Sequence, residues 1–533
     1  MKKILLIIIW FLFFATSAGV LGQEPLANED KNGLYVRSIE QVLRLEPEEI
    51  DLATAAMIIS ENWSDVVEGR RYLSRLDDMA YEILRRLRVK GLGANYKAVA
   101  LINEYLFEEL GFKSVKEASD PDDLFLHTVM DKRQGYCLSL SILYLSLGER
   151  LGLPLYGVVV PGHFFVRYDD GRVRFNIETT GKGGNAPDEH YVDKFRVPEG
   201  DSIYMLKLNK LQTLGCFFNN LGNTYSDIGD METALSALEM AVEINPSLAE
   251  SRTNLGNIYL QRERIEDAIY EYEAALKINP GDAKTHNNLG NAYTGRGWLS
   301  NAISHYSQSI ELDPNFTEAY RNLAAAYCKY ERFGQALSVL RQVIDLEPQN
   351  ALLYSQLGDV YSQMGDFKRA IFQYERSLKI KADVANAYYG IGVCYNKLGM
   401  FEDEIEAYKK ALAIEPDMVG ALVGLGNAYF AGKEYDAAIE QYRRFIRLRP
   451  DDGAIRYNVG AAYFNQGEYQ QAVIEYRKAV EIEPEMGDAH VGLAMAFYNL
   501  KKYDLAWKHI KIAEELGVEI DDGQLAAIEE KLD

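Results

Sequence analysis

Cys137, His163 and Glu178 are the residues of this chain whose types and order could do covalent chemistry. Cys137 opens CLSLSILYLSLGERLGLP, an apolar stretch that reads as a buried helix ended by Gly152 and Pro154. At a helix start the unpaired backbone N–H groups and the helix dipole favour an anion, which lowers a thiol pKa and raises the thiolate fraction. A thiolate nucleophile also needs a histidine within hydrogen-bond reach and a third group to orient that histidine. His163 begins the strand-like HFFVRYD, Asp170-Gly171 is a two-residue turn signal, and RVRFNI reads as the returning strand. With those two residues as the loop, His163 faces Glu178, and directly opposed Cβ atoms lie about 4.5–5.5 Å apart. Glu178 is therefore the expected orienting acid, and Asn176, one step along on the same face, is the alternative. Such a set attacks an amide or ester carbonyl through sulfur, forms an acyl-enzyme, and releases it to water or to an amine. The residues do not choose between those acceptors. Gln134 and the backbone N–H of Cys137 are candidate oxyanion donors by proximity alone.

Each of these residues also has a plain structural reading. Cys137 has the alternative reading of an inert thiol in an apolar helix, His163 that of a strand residue satisfied by its neighbours after the Pro161-Gly162 turn, and Glu178 that of a strand-end carboxylate. The order of the three together favours the catalytic reading. The three stand or fall together. Cys137, His163 and His190 lack the close spacing of a metal site, and no metal or cofactor is expected. The glycine-rich Gly181–Gly184 loop follows a strand but opens no helix, which argues against a phosphate cradle. Cys216, Cys328 and Cys394 fall on separate helices and read as buried filler, so no disulfide framework is indicated. His127 and His190 read as structural or surface residues.

The elements that must position the triad are mostly helical. Residues 30–151 carry apolar positions at three- and four-residue spacing, as in YLSRLDDMAYEILRRL and NYKAVALINEYLFEELGF, and strands follow the cysteine helix. Cysteine at a helix start, histidine on a strand and an acid on the next strand resemble the transglutaminase-like branch of the papain-type fold. EEIDLATAAMIISENW, YLSRLDDMAYEIL, LINEYLFEELGF and LGLPLYGVVVPGHFFVRY are similar to its bacterial SirB-type subfamily over roughly 45–200. The resemblance implies an α+β head, mostly helical with a small antiparallel sheet, over 23–208, and a Cys–His–acid set at Cys137, His163 and Glu178. Glu178-Thr179-Thr180 stands where the transglutaminase pattern has Asp-Pro-Thr, and many SirB-type members replace the cysteine that this chain retains.

Beyond the head a 34-residue period takes over. Its proline column is Pro246, Pro280, Pro314, Pro348, Pro416, Pro450 and Pro484, with Ala382 in the vacant slot; its small-residue column runs from Gly222 to Ala494, and Tyr225 to Phe497 run behind it. The period resembles the tetratricopeptide repeat, nine units over 215–520 forming an all-α superhelix, with 521–533 as a capping helix. The resemblance implies protein or peptide partners on a concave face. There the early repeats are polar, but the last three place Val423 and Phe430, Tyr457 and Phe464, and Val491 and Tyr498 at spacings i and i+7, a stripe expected either to take a partner segment or to pack the neighbouring helices.

Composition narrows the partner class. The formal charge is −22 over 533 residues, without a basic stripe, so nucleic acid is not expected. Met1-Lys2-Lys3, an apolar run from Ile4 and the small residues up to Gly22 read as a signal peptide, with an uncleaved anchor over 4–22 as the alternative. The chain is thus expected outside the cytoplasm, in the periplasm or cell envelope, touching a membrane only if that run is retained. Two functional readings stay open: a cysteine-dependent hydrolase or acyltransferase joined to a binding array, and a catalytically inactive envelope scaffold that only binds proteins.

Overall fold

The computed structural model describes residues 28–29, 35–64, 67–115, 120–197 and 203–532, so the leader read at 1–22 lies outside the described residues. The chain falls into two compact units, Met1–Trp298 and Leu299–Asp533. The first holds the head and the opening repeats; the second holds the remaining repeats.

In the head, helices Leu52–Trp63, Gly69–Val89, Ala98–Asn103 and Leu126–Lys132 surround the cysteine helix Cys137–Arg150. Its residues from Leu138 to Gly148 are all buried, including Ser139, Ser141 and Ser146, as expected of a helix that is predominantly apolar all round. Arg133 adopts a left-handed conformation, φ 52°, which ends the preceding helix and turns the chain into the two-residue strand Gln134–Gly135. That strand pairs in parallel with Lys113–Ser114, placing Gln134 beside Lys113 at the entry to the cysteine helix.

Three antiparallel strands follow, Leu155–Val160, His163–Asp169 and Arg174–Ile177, with the histidine strand in the centre. Alternation along the central strand divides its side chains between two faces. Phe164, Val166 and Tyr168 enter the core shared with the cysteine helix, whereas Phe165 joins a smaller cluster with Val158, Val160 and Tyr191. His163 and Arg167 belong to the second face by parity.

The hairpin register differs from the expected one. Asp169 pairs with Arg174, Tyr168 with Phe175 and Arg167 with Asn176, so the loop holds the four residues 170–173 instead of two. Aspartate side chains are the reason: Asp169 Oδ1 accepts from Gly171 N at 3.0 Å, and Asp170 Oδ1 accepts from Arg172 N at 2.9 Å and Val173 N at 2.7 Å. These bonds stabilise a wider turn than Asp-Gly alone suggests. A shift of two preserves the faces, so His163 and Glu178 still point the same way, but they are not paired across strands. His163 pairs with Val160, and Glu178 lies just past the third strand.

The head and the opening repeat share one core within the first unit. Leu214, Phe217, Phe218 and Leu221 of helix Lys210–Asp227 are buried in the same cluster as the head residues. Trp63 meets Phe218 edge-on at 6.0 Å, and Phe125 meets Phe217 at 6.0 Å.

The repeats are helix pairs. A Cβ added to Gly426 would lie 2.5 Å from the Tyr442 ring, and Gly256, Gly358, Gly392 and Gly460 face Tyr272, Tyr374, Tyr408 and Tyr476 in the same way. Where the second helix carries Leu340 or Ile510 at that position, Ala324 or Ala494 replaces the glycine. Helix Phe367–Ile380 ends at the same point of the period as its proline-bearing counterparts although Ala382 fills the proline slot. Proline is thus not required to end the helix at this point. The last helix, Asp522–Glu529, buries Ile528 against the final repeat.

Candidate active site at the start of the cysteine helix

Cys137 is half-buried at the first position of its helix, after Tyr136 in an extended conformation. Tyr136 N donates to Ser139 Oγ at 2.9 Å, which fastens the first turn. Thr179, the residue after the acid, is 1% exposed and donates to Cys137 O at 3.3 Å, with its hydroxyl also 3.0 Å from Ser141 Oγ. This contact draws the acid-bearing segment onto the cysteine helix.

The three candidate residues meet. His163 Nε2 lies 2.7 Å from Glu178 Oε2, the two side chains being 14% and 21% exposed. Cys137 acts on the same imidazole and favours its protonated form. With Nε2 taken by the carboxylate, Nδ1 is the nitrogen left for sulfur. Glu178 is saturated: Oε1 accepts from Thr180 N at 3.1 Å and Thr180 Oγ1 at 2.5 Å, and Oε2 also accepts from Tyr191 OH at 3.3 Å. Burial disfavours the imidazolium, yet the influence of Cys137 and Glu178 overrides it and pushes His163 up to about 9. Burial likewise works against the Glu178 carboxylate and is overcome by His163 and Thr180, which hold the acid below its ordinary range. The contact thus favours an imidazolium on His163 and a carboxylate on Glu178 together.

Asn176, the alternative orienter, is engaged elsewhere. It accepts from Arg167 Nε at 2.8 Å and donates to Ala186 O at 2.9 Å and Asp188 Oδ1 at 2.7 Å. The glycine-rich loop serves the acid: Glu178 N donates to Gly184 O at 2.8 Å, and Gly183 N donates back to Glu178 O at 2.9 Å. Asn103 holds the loop by donating to Gly183 O at 2.9 Å, so close that a Cβ on Gly183 would overlap the Asn103 amide; Tyr144 OH in turn donates to Asn103 Oδ1 at 2.8 Å. Gln134 is exposed beside the cysteine helix. His190 is exposed, and among the described residues no group of three His, Cys, Asp or Glu side chains could hold a metal ion. His127 stacks on Phe125 at 5.9 Å and bonds Thr128 at 3.1 Å.

The sequence reading missed the helix Asp188–Phe195, whose aromatics cover the histidine: Phe195 stacks on His163 with centroids 4.8 Å apart and planes 3° apart. Tyr191 and Phe195, four apart, were the available signal, since i, i+4 aromatics share one helix face.

In the second unit, Val423, Phe430, Tyr457, Phe464, Val491 and Tyr498 are all half-buried. Phe430, Phe464 and Tyr498 each meet a tyrosine five residues on, edge-on, at 5.5, 5.3 and 5.6 Å (Tyr435, Tyr469 and Tyr503), and Tyr457 packs on Tyr476 at 5.5 Å. The stripe therefore contributes to intra-repeat packing and keeps part of its surface in solvent. A cleft of about 880 Å³ also lies in this unit, around Asn350, Lys381 and Glu415.

Comparison with known proteins assigns both parts. Residues 70–204 match the transglutaminase-like superfamily. Repeat models match 217–248, 256–297, 290–330, 358–399, 385–418, 426–467 and 460–501. A UPF0162 protein of Xylella fastidiosa is 25% identical over 225 residues, 38% of this chain and 73% of its own length. F-box only protein 21 of Mus musculus is 37% identical over 71 residues, covering 13% of this chain and 11% of that protein. The crystal structure of MamA protein is 29% identical, covers 32% of this chain and 92% of its own, and has a TM-score of 0.31. The chain thus carries a transglutaminase-like domain over 70–204, followed by tetratricopeptide repeats, which generally mediate protein–protein interaction, over 217–501.

Proposed function

We propose that the head is a cysteine-dependent acyl-transfer or amide-hydrolysing enzyme, exported to the cell envelope, and that the repeats bind protein partners. One observation carries the catalytic part: His163 Nε2 lies 2.7 Å from Glu178 Oε2, and Cys137, at a helix start, favours the protonated form of the same ring. In this reading an imidazolium beside sulfur favours the thiolate, and the thiolate attacks the carbonyl carbon. His163 gives its proton to the departing nitrogen or oxygen as the tetrahedral intermediate collapses, leaving a thioester on Cys137. A water or an amine then attacks that thioester, giving its proton to His163, and the sulfur departs as thiolate. Glu178 holds the ring throughout and offsets its positive charge. The backbone N–H groups of the first turn, with Gln134 at the rim, are the candidate donors to the oxyanion.

Export rests on the basic, apolar and small-residue order of the first 22 residues. On the repeats, Val423, Phe430, Tyr457, Phe464, Val491 and Tyr498 are the proposed contact stripe for a partner segment, supported by their partial exposure.

The test is labelling of the intact chain with a thiol-directed acylating probe, followed by peptide mapping. The enzyme reading requires acylation at Cys137 that is lost in His163→Ala, and turnover of the thioester by water or an added amine. Equal labelling of Cys137 in wild type and His163→Ala leaves only the scaffold.

A further inference from the structure

The helix Asp188–Phe195 has a role beyond covering the sheet. Its two aromatics touch the two halves of one hydrogen-bonded pair: Phe195 lies parallel to the His163 ring at 4.8 Å, and Tyr191 OH donates to the Glu178 oxygen that His163 also binds. Tyr191 is 1% exposed and stacks on Phe165 at 3.9 Å, so its hydroxyl is held on the carboxylate.

The start of the helix is anchored by a buried cation. Arg167, 2% exposed, donates to Asp188 Oδ1 at 2.6 Å, to Asn176 Oδ1 at 2.8 Å and to Met205 O at 2.7 Å. Asp188 also receives Asn176 and Arg174. A buried arginine without its carboxylate would be costly, so these bonds hold the helix start against the central and third strands.

We propose that Asp188–Phe195 is a clamp in which Tyr191 and Phe195 are positioning residues for the His163–Glu178 pair, with Arg167–Asp188 as its anchor. The inference rests on the Cys137–His163–Glu178 reading above. Physically the clamp does two things. The face of Phe195 is an electron-rich surface against a ring that must carry positive charge beside sulfur, a cation–π contact, and Lys194 Nζ at 4.9 Å from the same ring shows that Phe195 accepts cations. Tyr191 meanwhile fixes the carboxylate rotamer, so Nε2 stays bonded and the imidazole keeps its orientation.

The experiment measures alkylation of Cys137 by iodoacetamide as a function of pH in the full-length chain, with peptide mapping. Wild type is compared with Phe195→Leu, Phe195→Tyr, Tyr191→Phe and His163→Ala. A 1 Å misplacement of a reacting group can cost about a hundredfold in rate, so Phe195→Leu should slow neutral-pH alkylation by up to about that factor and move the inflection to higher pH. Phe195→Tyr, which restores the ring, should return the wild-type profile; Tyr191→Phe, which removes one hydroxyl, should shift the inflection the same way by less. A structural role alone would lower melting without moving the inflection. Should Phe195→Leu fail to fold, Tyr191→Phe decides. Wild-type profiles in Tyr191→Phe and in any folded Phe195→Leu, with a slowed His163→Ala, overturn the clamp and leave the catalytic reading standing. An unslowed His163→Ala overturns both.

Discussion

Glu178 carries hydrogen bonds on both oxygens, and that saturation decides what its substitution does. Glu178→Gln keeps the shape but removes the charge opposing the imidazolium, so acylation of Cys137 should fall by about a hundredfold or more, in line with the worth of a positioned acid–base pair; stopped-flow acylation with an activated ester measures this. The His163 shift has a pH signature of its own. Its folded-state value, about 9, exceeds the ordinary 6.5, so its stabilisation is complete below pH 6.5 and fades as pH rises through about 9. The melting-temperature advantage of wild type over His163→Gln should therefore shrink between pH 6.5 and 10, as calorimetry can show. Thiol selectivity follows from burial. Cys216 and Cys394 are buried and pushed up, and Cys328 is pushed up to about 11. Native labelling near pH 7.5 should accordingly map to Cys137 alone; modification of Cys216 at a comparable rate would contradict the described burial.

At the scale of elements, two packing arrangements set the expected costs. Gly426 lets a helix pair close over Tyr442, and Gly426→Val forces extra methyl groups against that ring. Overpacking of this kind costs about 1–3 kcal/mol, read as a lower denaturant midpoint with unchanged slope. Phe218, fully buried against Trp63, joins helix Lys210–Asp227 to the head core. Phe218→Ala should cost about 3–5 kcal/mol and destabilise the head together with the first repeat, detected as one cooperative loss of protection in hydrogen exchange. The helix pairs were legible because the period repeats the same packing instruction. The hairpin was legible only in part: Asp170-Gly171 marked the turn, but side-chain bonds from Asp169 and Asp170 to loop amides widened it by two residues. The helix at 188–195 went unread because it is short and mostly polar, and only its Tyr191 and Phe195 face is informative.

For the whole molecule, the division into compact units does not follow the division into sequence motifs. The first unit ends at Trp298, inside the repeat array, so the head and the opening repeats belong to one folded body. A head fragment ended at residue 208 leaves Phe217 and Phe218 behind, uncovers Trp63 and Phe125, and should be poorly soluble; a fragment ended near 298 should melt cooperatively. The N-terminal reading is tested in the same way, by mass. A mature chain beginning near residue 23 in the envelope fraction supports the signal peptide, an intact Met1 in membranes means an anchor, and an intact Met1 in the soluble cytoplasmic fraction removes export.

The order Cys137, His163, Glu178 and the 34-residue period were written in the chain itself, because both rest on local chemistry: a helix start that favours an anion, and a spacing that brings small residues under rings. What brought the acid to the histidine was not local. The strand register expected to oppose them does not do so; Glu178 reaches His163 from beyond the third strand, drawn in by Thr179 on the cysteine helix and by a loop that Asn103 pins from another helix. Those bonds join residues far apart in sequence, and no pattern of neighbours encodes them. Only the folded chain decides which oxygen a distant amide or hydroxyl finds.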